Sequence, residues 1–341
     1  MIEKLPAKGR AISPFRIFLL LSDTLWFFLM FLLSNDLYQK YEKQTDLILF
    51  WRQDSINLNM KKLILFLITA MLVFPVSAQI NYWNYQTPYS LSLKRELITG
   101  GISASGYFIG KYIERNEYLP PFETGSFTIQ DINRINFIDR GTAGRWDIEA
   151  EATGIVFKRT SKIIAAAGLG LFPGNLKERA SLYVIYIEGY LLTQGVTSLV
   201  KGTTDRYRPF AYLTPDQINN LEGEAKERFL EAIKGSDIED SFFSGDASTT
   251  AYALIFTAKA FDDYFPDSKL KYGVWGVSVT GTALQAYFRT RSGRHFPTDV
   301  IAGSLVGGSL GFLVPYLHKE LQSEKLSISP GIYGVSLMYK F

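Results

Sequence analysis

The sequence predicts an all-α fold, a helical bundle that is followed by a small C-terminal β-hairpin. Apolar residues recur at helical spacing in four long segments, residues 181–200, 247–261, 272–288 and 297–317. Residues 326–329 instead alternate between apolar and polar side chains, and a Pro-Gly turn separates them from a strand-like end. Because one hairpin cannot close a membrane barrel, we expect it to pack on the helices.

These patterns divide the chain into five predicted parts. The parts are an over-extended start or N-terminal anchor (1–59), a signal peptide (60–78), an N-terminal extension (79–130), the helical domain (131–320) and the hairpin (321–341). The extension is rich in aromatic and turn residues. We expect one helix in it, over residues 91–113, although the pair Gly100 and Gly101 weakens that helix.

Residues 60–78 contain the three parts of a secretory signal peptide. Met60 is followed by two lysines, the next apolar stretch is short for a membrane span, and the segment ends in Val-Ser-Ala. Signal peptidase reads small residues of this kind, so we expect cleavage before Gln79 and export to the periplasm or envelope of a Gram-negative bacterium.

A signal peptide normally begins a protein, but this one starts 59 residues into the chain. We therefore expect translation to begin at Met60, which would make residues 1–59 an over-extended start. The alternative is a true N-terminal anchor over residues 17–33, where Asp23 interrupts the apolar run and would be costly inside a membrane.

Composition excludes several classes of function. The chain has no cysteine, which excludes zinc-thiolate sites, disulfides and cysteine nucleophiles. Its net charge is only +3 and it has no block of Lys and Arg, so we expect no nucleic-acid partner. It has two histidines, and any histidine chemistry must use His295 or His318.

Two motifs in the middle of the chain suit an anion. Lys201 near the end of a predicted helix and Arg208 before Pro209 provide a point charge and a planar fork that fits phosphate oxygens. Ser244 and Gly245 precede another predicted helix, whose first backbone N–H groups favour an anion. The alternative for the second motif is an ordinary helix N-cap formed by the next residue, Asp246.

A third motif places a histidine among cations. Arg289 precedes His295, and Pro297 suits the first turn of the following helix. His295 and Asp299 are four residues apart, so they could meet on one helical face. A carboxylate on one ring nitrogen would fix the tautomer and leave the other nitrogen free to attack.

In this order, the motifs resemble those of the phosphatidic acid phosphatase type 2 superfamily, which includes bacterial acid phosphatases, lipid phosphatases and vanadium haloperoxidases. Its pattern is Lys, six residues and Arg-Pro, then Pro-Ser-Gly-His, then Ser-Arg, five residues, His, three residues and Asp. The resemblance covers about residues 130–320. The matching positions are Lys201, Arg208, Pro209, Ser244, Gly245, Arg289, His295 and Asp299.

The resemblance implies a helical bundle of this superfamily's type and a phosphatase that needs no metal or other cofactor. His295 would attack phosphorus to form a phosphohistidine, and Asp299 would orient it. The groups that would hold the phosphoryl oxygens are the side chains of Lys201, Arg208 and Arg289 and the amides of Ser244 and Gly245. The implied substrates are phosphomonoesters or lipid (pyro)phosphates, and association with a membrane surface is left open.

The chain departs from the pattern at Asp246, where the superfamily has a second histidine that protonates the leaving oxygen. His318 is an unsuitable substitute, since helix geometry puts it roughly 35 Å from His295. Asp246 is therefore the predicted general acid. The alternatives are a phosphate- or lipid-headgroup-binding protein that has lost turnover and, less favoured, a vanadate haloperoxidase. Further cations at Arg206, Arg291 and Arg294 would bind a second phosphate or headgroup, or be solvated.

Overall fold

The computed structural model describes residues 88–116, 125–172, 174–235, 238–319, 326–331 and 334–339. The predicted start or anchor, the signal peptide and its cleavage point lie outside these residues. The described part is mainly helical, which confirms the all-α prediction.

The described residues form a series of α-helices along the chain. They are α1 Leu93–Asn116, α2 Ile129–Arg134, α3 Ile148–Leu169, α4 Leu176–Lys201, α5 Pro215–Asn219, α6 Gly223–Ala232, α7 Gly245–Tyr264, α8 Leu270–Arg291 and α9 Pro297–His318. Short 3-10 turns occur at Arg140–Thr142 and Pro209–Tyr212. Each of the four helical segments predicted from apolar spacing lies inside α4, α7, α8 or α9, and α1 continues through the pair Gly100 and Gly101.

Helix starts follow from local sequence. Asn175 caps α4 in a reciprocal capping box with Glu178. Ser244 caps α7 by accepting a hydrogen bond from the backbone N–H of Ala247, so Asp246 lies in the first turn and is not the N-cap. Pro297 is the first residue of α9, as its fixed φ predicts.

Helix α7 forms the centre of the bundle and packs against α3, α4, α8 and α9. It is rich in alanine and threonine, which lets its neighbours approach closely, and it is buried along almost its whole length. Its large side chains join a buried aromatic cluster, which includes Tyr252, Phe256, Phe261, Phe172 and Phe265. Aromatic burial of this kind supplies much of the hydrophobic stabilisation of a small bundle.

Glycines on α9 bring its first turn close to the first turn of α7. A Cβ atom added at Gly303 would lie 2.5 Å from the carbonyl oxygen of Ser244, and one added at Gly307 would lie 1.9 Å from that of Ser248. Both distances are below any real contact, so only glycine permits this packing. The backbone N–H of Ser244 consequently donates to the carbonyl of Asp299 at 3.1 Å.

Two short strands follow the bundle, β1 Leu326–Gly331 and β2 Gly334–Tyr339, and they pair in antiparallel register. This pairing does not confirm the predicted hairpin packed on the helices, since the side chains of both strands lie outside the described part of the chain. That packing stays a prediction. Among the described helices, α9 is the one whose length and apolar composition would suffice to cross a membrane.

Candidate active site

The residues of the three motifs come together at one end of the bundle. Lys201 ends α4, Ser244 and Gly245 begin α7, and Arg289 lies in the last turn of α8. The segments around Arg208 and His295 complete the site between these helix ends. In contrast to the prediction, His295 is not on a helical face with Asp299, because α9 begins only at Pro297.

His295 is held as a neutral imidazole with one defined tautomer. Its ring is 2% exposed, and Nδ1 donates to the backbone carbonyl of Ser241 at 2.7 Å. The Nε2 atom accepts from Nη1 of Arg208 at 3.3 Å, which requires a lone pair on Nε2. Burial, followed by the charges of Arg208, Arg289 and Lys201, holds the pKa of His295 well below its usual value. The ring therefore presents an unprotonated nitrogen to an electropositive space.

Three cations surround this nitrogen. Arg208 is fixed by donating to the carbonyl of Arg294 at 2.9 Å. Burial and the nearby charge of Arg208 lower the pKa of Lys201, whose Nζ lies 3.9 Å from Asp240. The Nη1 atom of Arg289 is buried and has no hydrogen-bond partner among the described residues. Buried donors are normally satisfied, so this atom is suited to an anionic ligand.

Close packing explains the glycine at the start of α7. A Cβ atom on Gly245 would lie 3.1 Å from Cγ2 of Thr197 and 3.9 Å from Cε of Lys201. A larger residue would therefore press on the lysine stem and narrow the space beside the first N–H groups of α7. The geometry agrees with the expected use of this helix start as part of an anion cradle.

Asp299 is linked to His295 indirectly, through Ser241. Its carboxylate accepts from Oγ of Ser241 at 2.6 Å, from the backbone N–H of Phe296 at 2.8 Å and from the guanidinium of Arg206. Since the Nδ1 partner of His295 is the Ser241 carbonyl, the expected direct contact with Asp299 is replaced by a relay through Ser241. Burial raises the pKa of Asp299 to about 6, although Arg206 and these hydrogen bonds oppose the rise.

The three additional arginines are bound to carboxylates. Arg206 contacts Asp139 at 2.6 Å as well as Asp299, Arg291 contacts Asp147 at 2.9 Å, and Arg294 contacts Glu151 at 2.6 Å. Arg206 and Arg294 therefore form partly buried ion pairs, whereas the Arg291 side chain is 52% exposed and agrees with the expected solvated charge. Asp139 was not found from the sequence, because its partner Arg206 is 67 residues away and no local spacing links them.

Asp246 lies between two cations. Its Oδ1 accepts from Nζ of Lys158 at 2.8 Å, and its Oδ2 lies 3.1 Å from Nε of Arg289. Burial alone would raise the pKa of Asp246, but the charges of Arg289 and Lys158 outweigh it and hold the pKa far below the usual range. These surroundings favour the ionised carboxylate and oppose its predicted use as the general acid, which stays a prediction.

The second histidine lies at the other end of α9, as expected from helix geometry. His318 donates from Nδ1 to the carbonyl of Val314 at 2.8 Å, and its Nε2 lies 3.0 Å from Glu96 and 3.5 Å from Glu188. It is 2% exposed and joins α9 to α1 and α4. These partners occupy its ring, so His318 has no part in the cationic site.

Comparison with known proteins agrees with the motif assignment. Residues 182–323 match the family model described as the PAP2 superfamily. This range contains every motif position named above. A solved structure with 15% identity is the first transmembrane PAP2-type phosphatidylglycerolphosphate phosphatase from Bacillus subtilis. It aligns over 77% of this chain and 98% of that one with a TM-score of 0.35. No curated protein sequence matches the chain.

Proposed function

We propose that this chain is a phosphoric ester hydrolase with a specific phosphatase chemistry. The match of residues 182–323 to the PAP2 superfamily model supports this general class of reaction. The enzyme hydrolyses phosphomonoesters or lipid (pyro)phosphates through a phosphohistidine on His295. The observation that carries this proposal is the neutral His295 ring, whose Nε2 lone pair lies among Arg208, Arg289 and Lys201.

The proposed first step is an in-line attack of His295 Nε2 on phosphorus. An N–P bond forms and the bond between phosphorus and the leaving oxygen breaks, while Nδ1 keeps its proton and goes on donating it to the Ser241 carbonyl. Arg208, Lys201 and the unpartnered Nη1 of Arg289 hold the phosphoryl oxygens, where they stabilise developing negative charge. Water then cleaves the N–P bond, which releases phosphate and restores the ring.

An amphiphilic substrate is supported by the surface of the bundle. Large apolar side chains are exposed on α1, α4, α8 and α9, and they include Leu97, Ile102, Phe108, Ile187, Val279, Ile301, Leu305 and Leu317. Exposed apolar surface on several adjacent helices is typical of contact with a membrane. We therefore propose that the enzyme works at a membrane of the cell envelope, after export directed by residues 60–78.

One observation favours a second candidate, a protein that binds phosphate or a lipid headgroup without turnover. Asp246 lies 3.1 Å from Nε of Arg289 and replaces the histidine that the superfamily uses as an acid, so the first step has no motif residue to protonate the leaving group. A vanadate haloperoxidase is the weaker alternative, since the same histidine is absent there too.

The test is phosphate release from an aryl phosphate and from phosphatidate in vesicles, measured with the full chain over pH 4–8. We expect release that disappears in His295→Gln, while Lys162→Arg, which keeps its charge and lies outside the motifs, retains it. Phosphate binding without His295-dependent release at any pH would favour the binding protein. Bromide oxidation that requires vanadate would favour the haloperoxidase.

Export has its own test, which is N-terminal sequencing of the native protein. A mature chain that begins at Gln79 would support export with cleavage. An intact Met1 would contradict it.

A further inference from the structure

The leaving group needs a proton, and the motif residues do not supply one. Asp246 is ionised between two cations, and an arginine cannot release a proton at ordinary pH. His295 is the attacking base, and Lys201 belongs to the phosphate cradle. The remaining question is which proton-bearing group lies where the superfamily's second histidine would be.

Lys158 on α3 is in that place. Its Nζ donates to Oδ1 of Asp246 at 2.8 Å, so the ammonium and the carboxylate together fill the position that a histidine would occupy. Their side chains are 21% and 23% exposed, whereas that of Arg289 is 7% exposed. Solvent therefore reaches the pair more readily than it reaches Arg289, as the departure of a leaving alcohol requires.

The charges around Lys158 suit proton donation. Burial, followed by the neighbouring charges of Arg289 and Lys162, lowers the pKa of Lys158 from its usual value, and Asp246 opposes the change. A lysine with a lowered pKa is a stronger acid than a solvated one and takes part more readily in proton transfer near neutral pH. The fixed carboxylate keeps the ammonium in place and protonated before substrate binds.

Lys162, one helical turn later, does not have this position. Its Nζ lies 3.3 Å from the hydroxyl of Tyr190 and 5.7 Å from the centre of that ring. Burial lowers the pKa of Lys162 as it does that of Lys158. The two lysines therefore differ mainly in the partner of the ammonium group, which is Tyr190 for Lys162 and Asp246 for Lys158. This makes Lys162 a matched control for any substitution of Lys158.

We propose that Lys158 is the general acid of this enzyme and that Asp246 is the residue that positions it. The proposal rests on the phosphatase function proposed above. As the bond between phosphorus and the leaving oxygen breaks, a proton passes from Nζ of Lys158 to that oxygen and leaves a neutral amine. In the second step the amine takes a proton from the water that attacks the phosphohistidine, so the ammonium is regenerated and the overall reaction is hydrolysis.

The proposal is tested by the dependence of kcat/KM on the leaving group, measured with the full chain. Phenyl phosphate releases a weakly acidic phenol that needs a proton, whereas 2,4-dinitrophenyl phosphate releases a strongly acidic phenol that does not. Lys158→Arg keeps the positive charge and the ion pair with Asp246 but cannot donate a proton. We expect it to lower kcat/KM for phenyl phosphate by about 10²–10⁴-fold and for the dinitrophenyl ester by less than about tenfold.

Each outcome has a defined meaning. An equal loss with both esters would overturn the proposal, because it would show that Lys158 binds phosphate or supports the fold. Unchanged kcat/KM for phenyl phosphate would overturn it as well. Lys162→Arg should leave both esters unaffected. If the wild-type chain releases no phosphate from the dinitrophenyl ester in a His295-dependent way, the proposed function fails and the role of Lys158 fails with it.

A second pair of variants tests the positioning role of Asp246. Lys158→Met removes the acid, and adding Asp246→His supplies the histidine that the superfamily has at this position. We expect the double variant to recover part of the phenyl phosphate activity that Lys158→Met loses. No recovery, in a double variant that still hydrolyses the dinitrophenyl ester, would contradict the claim that the Lys158–Asp246 pair replaces this histidine.

Discussion

The two histidines of the chain lie at opposite ends of α9 and have opposite surroundings. His295 precedes the helix and faces three cations, whereas His318 ends it and faces Glu96 and Glu188. In both, Nδ1 is bound to a backbone carbonyl, of Ser241 and of Val314 respectively. The difference lies at Nε2, which in one case accepts from a guanidinium and in the other contacts carboxylates.

This comparison shows how charge decides the use of a buried imidazole. Cations keep the first ring neutral and its Nε2 lone pair available, which a nucleophile requires. The second ring instead contacts one carboxylate from α1 and one from α4. These contacts join three helices and leave no ring nitrogen available for reaction. We therefore expect substitutions to separate the two sites, with activity lost at one and stability at the other.

The largest effect is expected for His295→Gln. Loss of the nucleophile should reduce phosphate release by at least about 10³-fold, while the free energy of unfolding changes by less than about 1 kcal/mol because the new side chain is still uncharged. Enzyme assay and urea unfolding of the same preparation measure both quantities. Residual activity within tenfold of wild type would contradict the assignment of the nucleophile.

His318→Gln is the matched change and should show the reverse pattern. Glu188 is buried, so removing its imidazole partner leaves an incompletely satisfied carboxylate and should lower the free energy of unfolding by about 1–3 kcal/mol. The value of kcat should stay within about threefold of wild type under conditions where the variant is folded. A large loss of kcat in the folded variant would show that the two sites are coupled.

Asp299→Asn should have an intermediate effect on activity. Asparagine is a weaker acceptor for Arg206 and Ser241, so the carbonyl that holds His295 shifts and kcat falls by about 10²-fold. If the carboxylate is needed in its ionised form, wild-type kcat should decline as the pH falls through about 6, and this decline should be absent in the variant. Using one substrate for both proteins keeps the ionisation of the phosphate ester the same.

The pKa of Asp299 also predicts how the free energy of unfolding changes with pH. The folded-state pKa of about 6 is above the usual aspartate pKa of 3.8, so the ionised carboxylate is disfavoured in the folded protein. Its cost to stability is fully present above about pH 6 and disappears as the pH falls towards the unfolded-state value. Unfolding curves at several pH values should therefore show a smaller gain in stability on acidification for Asp299→Asn than for wild type. An equal gain would contradict the pKa assignment.

Ser241→Ala should have a smaller effect. The substitution removes the hydroxyl that donates to Asp299 at 2.6 Å, but the backbone carbonyl that accepts from His295 remains. Loss of one buried hydrogen bond is worth about 1 kcal/mol, which corresponds to a fall in kcat of less than about tenfold. A loss as large as that of Asp299→Asn, measured in the same assay, would show that the hydroxyl itself takes part in the reaction.

The smallest effect is expected at the carboxylate pair around His318. Contacts with Ser92, His318 and Arg95 lower the pKa of Glu96 against the effect of burial, so its charge stabilises the fold above its usual pKa of 4.5 and this gain is lost as the pH falls. Glu96→Gln should lower stability at neutral pH by about 0.5–1.5 kcal/mol. Burial raises the pKa of Glu188, so Glu188→Gln should cost less than this at neutral pH. Urea unfolding at pH 7 that ranks the two variants in the opposite order would contradict these charge states.

Sequence patterns predicted the helices and most of the cationic residues that the structure brings together, because both depend on local spacing. Lys201 and Arg208 lie seven residues apart, and Arg289 and His295 lie six apart, so each pair is brought to the site by its own segment. Apolar spacing likewise located α4, α7, α8 and α9, although their ends extended by a few residues.

Contacts between distant segments could not be predicted in the same way. Lys158 meets Asp246 across 88 residues, and Ser241 acts on His295 through a backbone carbonyl that carries no side-chain signature. Asp246 was assigned as an acid because the sequence does not show which charges surround it. The structure shows two cations beside it, Lys158 and Arg289, whose charges favour the ionised carboxylate.

The central claim is a covalent bond between His295 and phosphorus, and the most direct measurement traps it. The full chain is mixed with ³²P-labelled dinitrophenyl phosphate, quenched within milliseconds in alkali and digested. We predict label that is stable to alkali and labile to acid on the peptide that contains His295, and no label in His295→Gln. Rapid phosphate release with no label on His295, or label that persists in His295→Gln, would contradict the account.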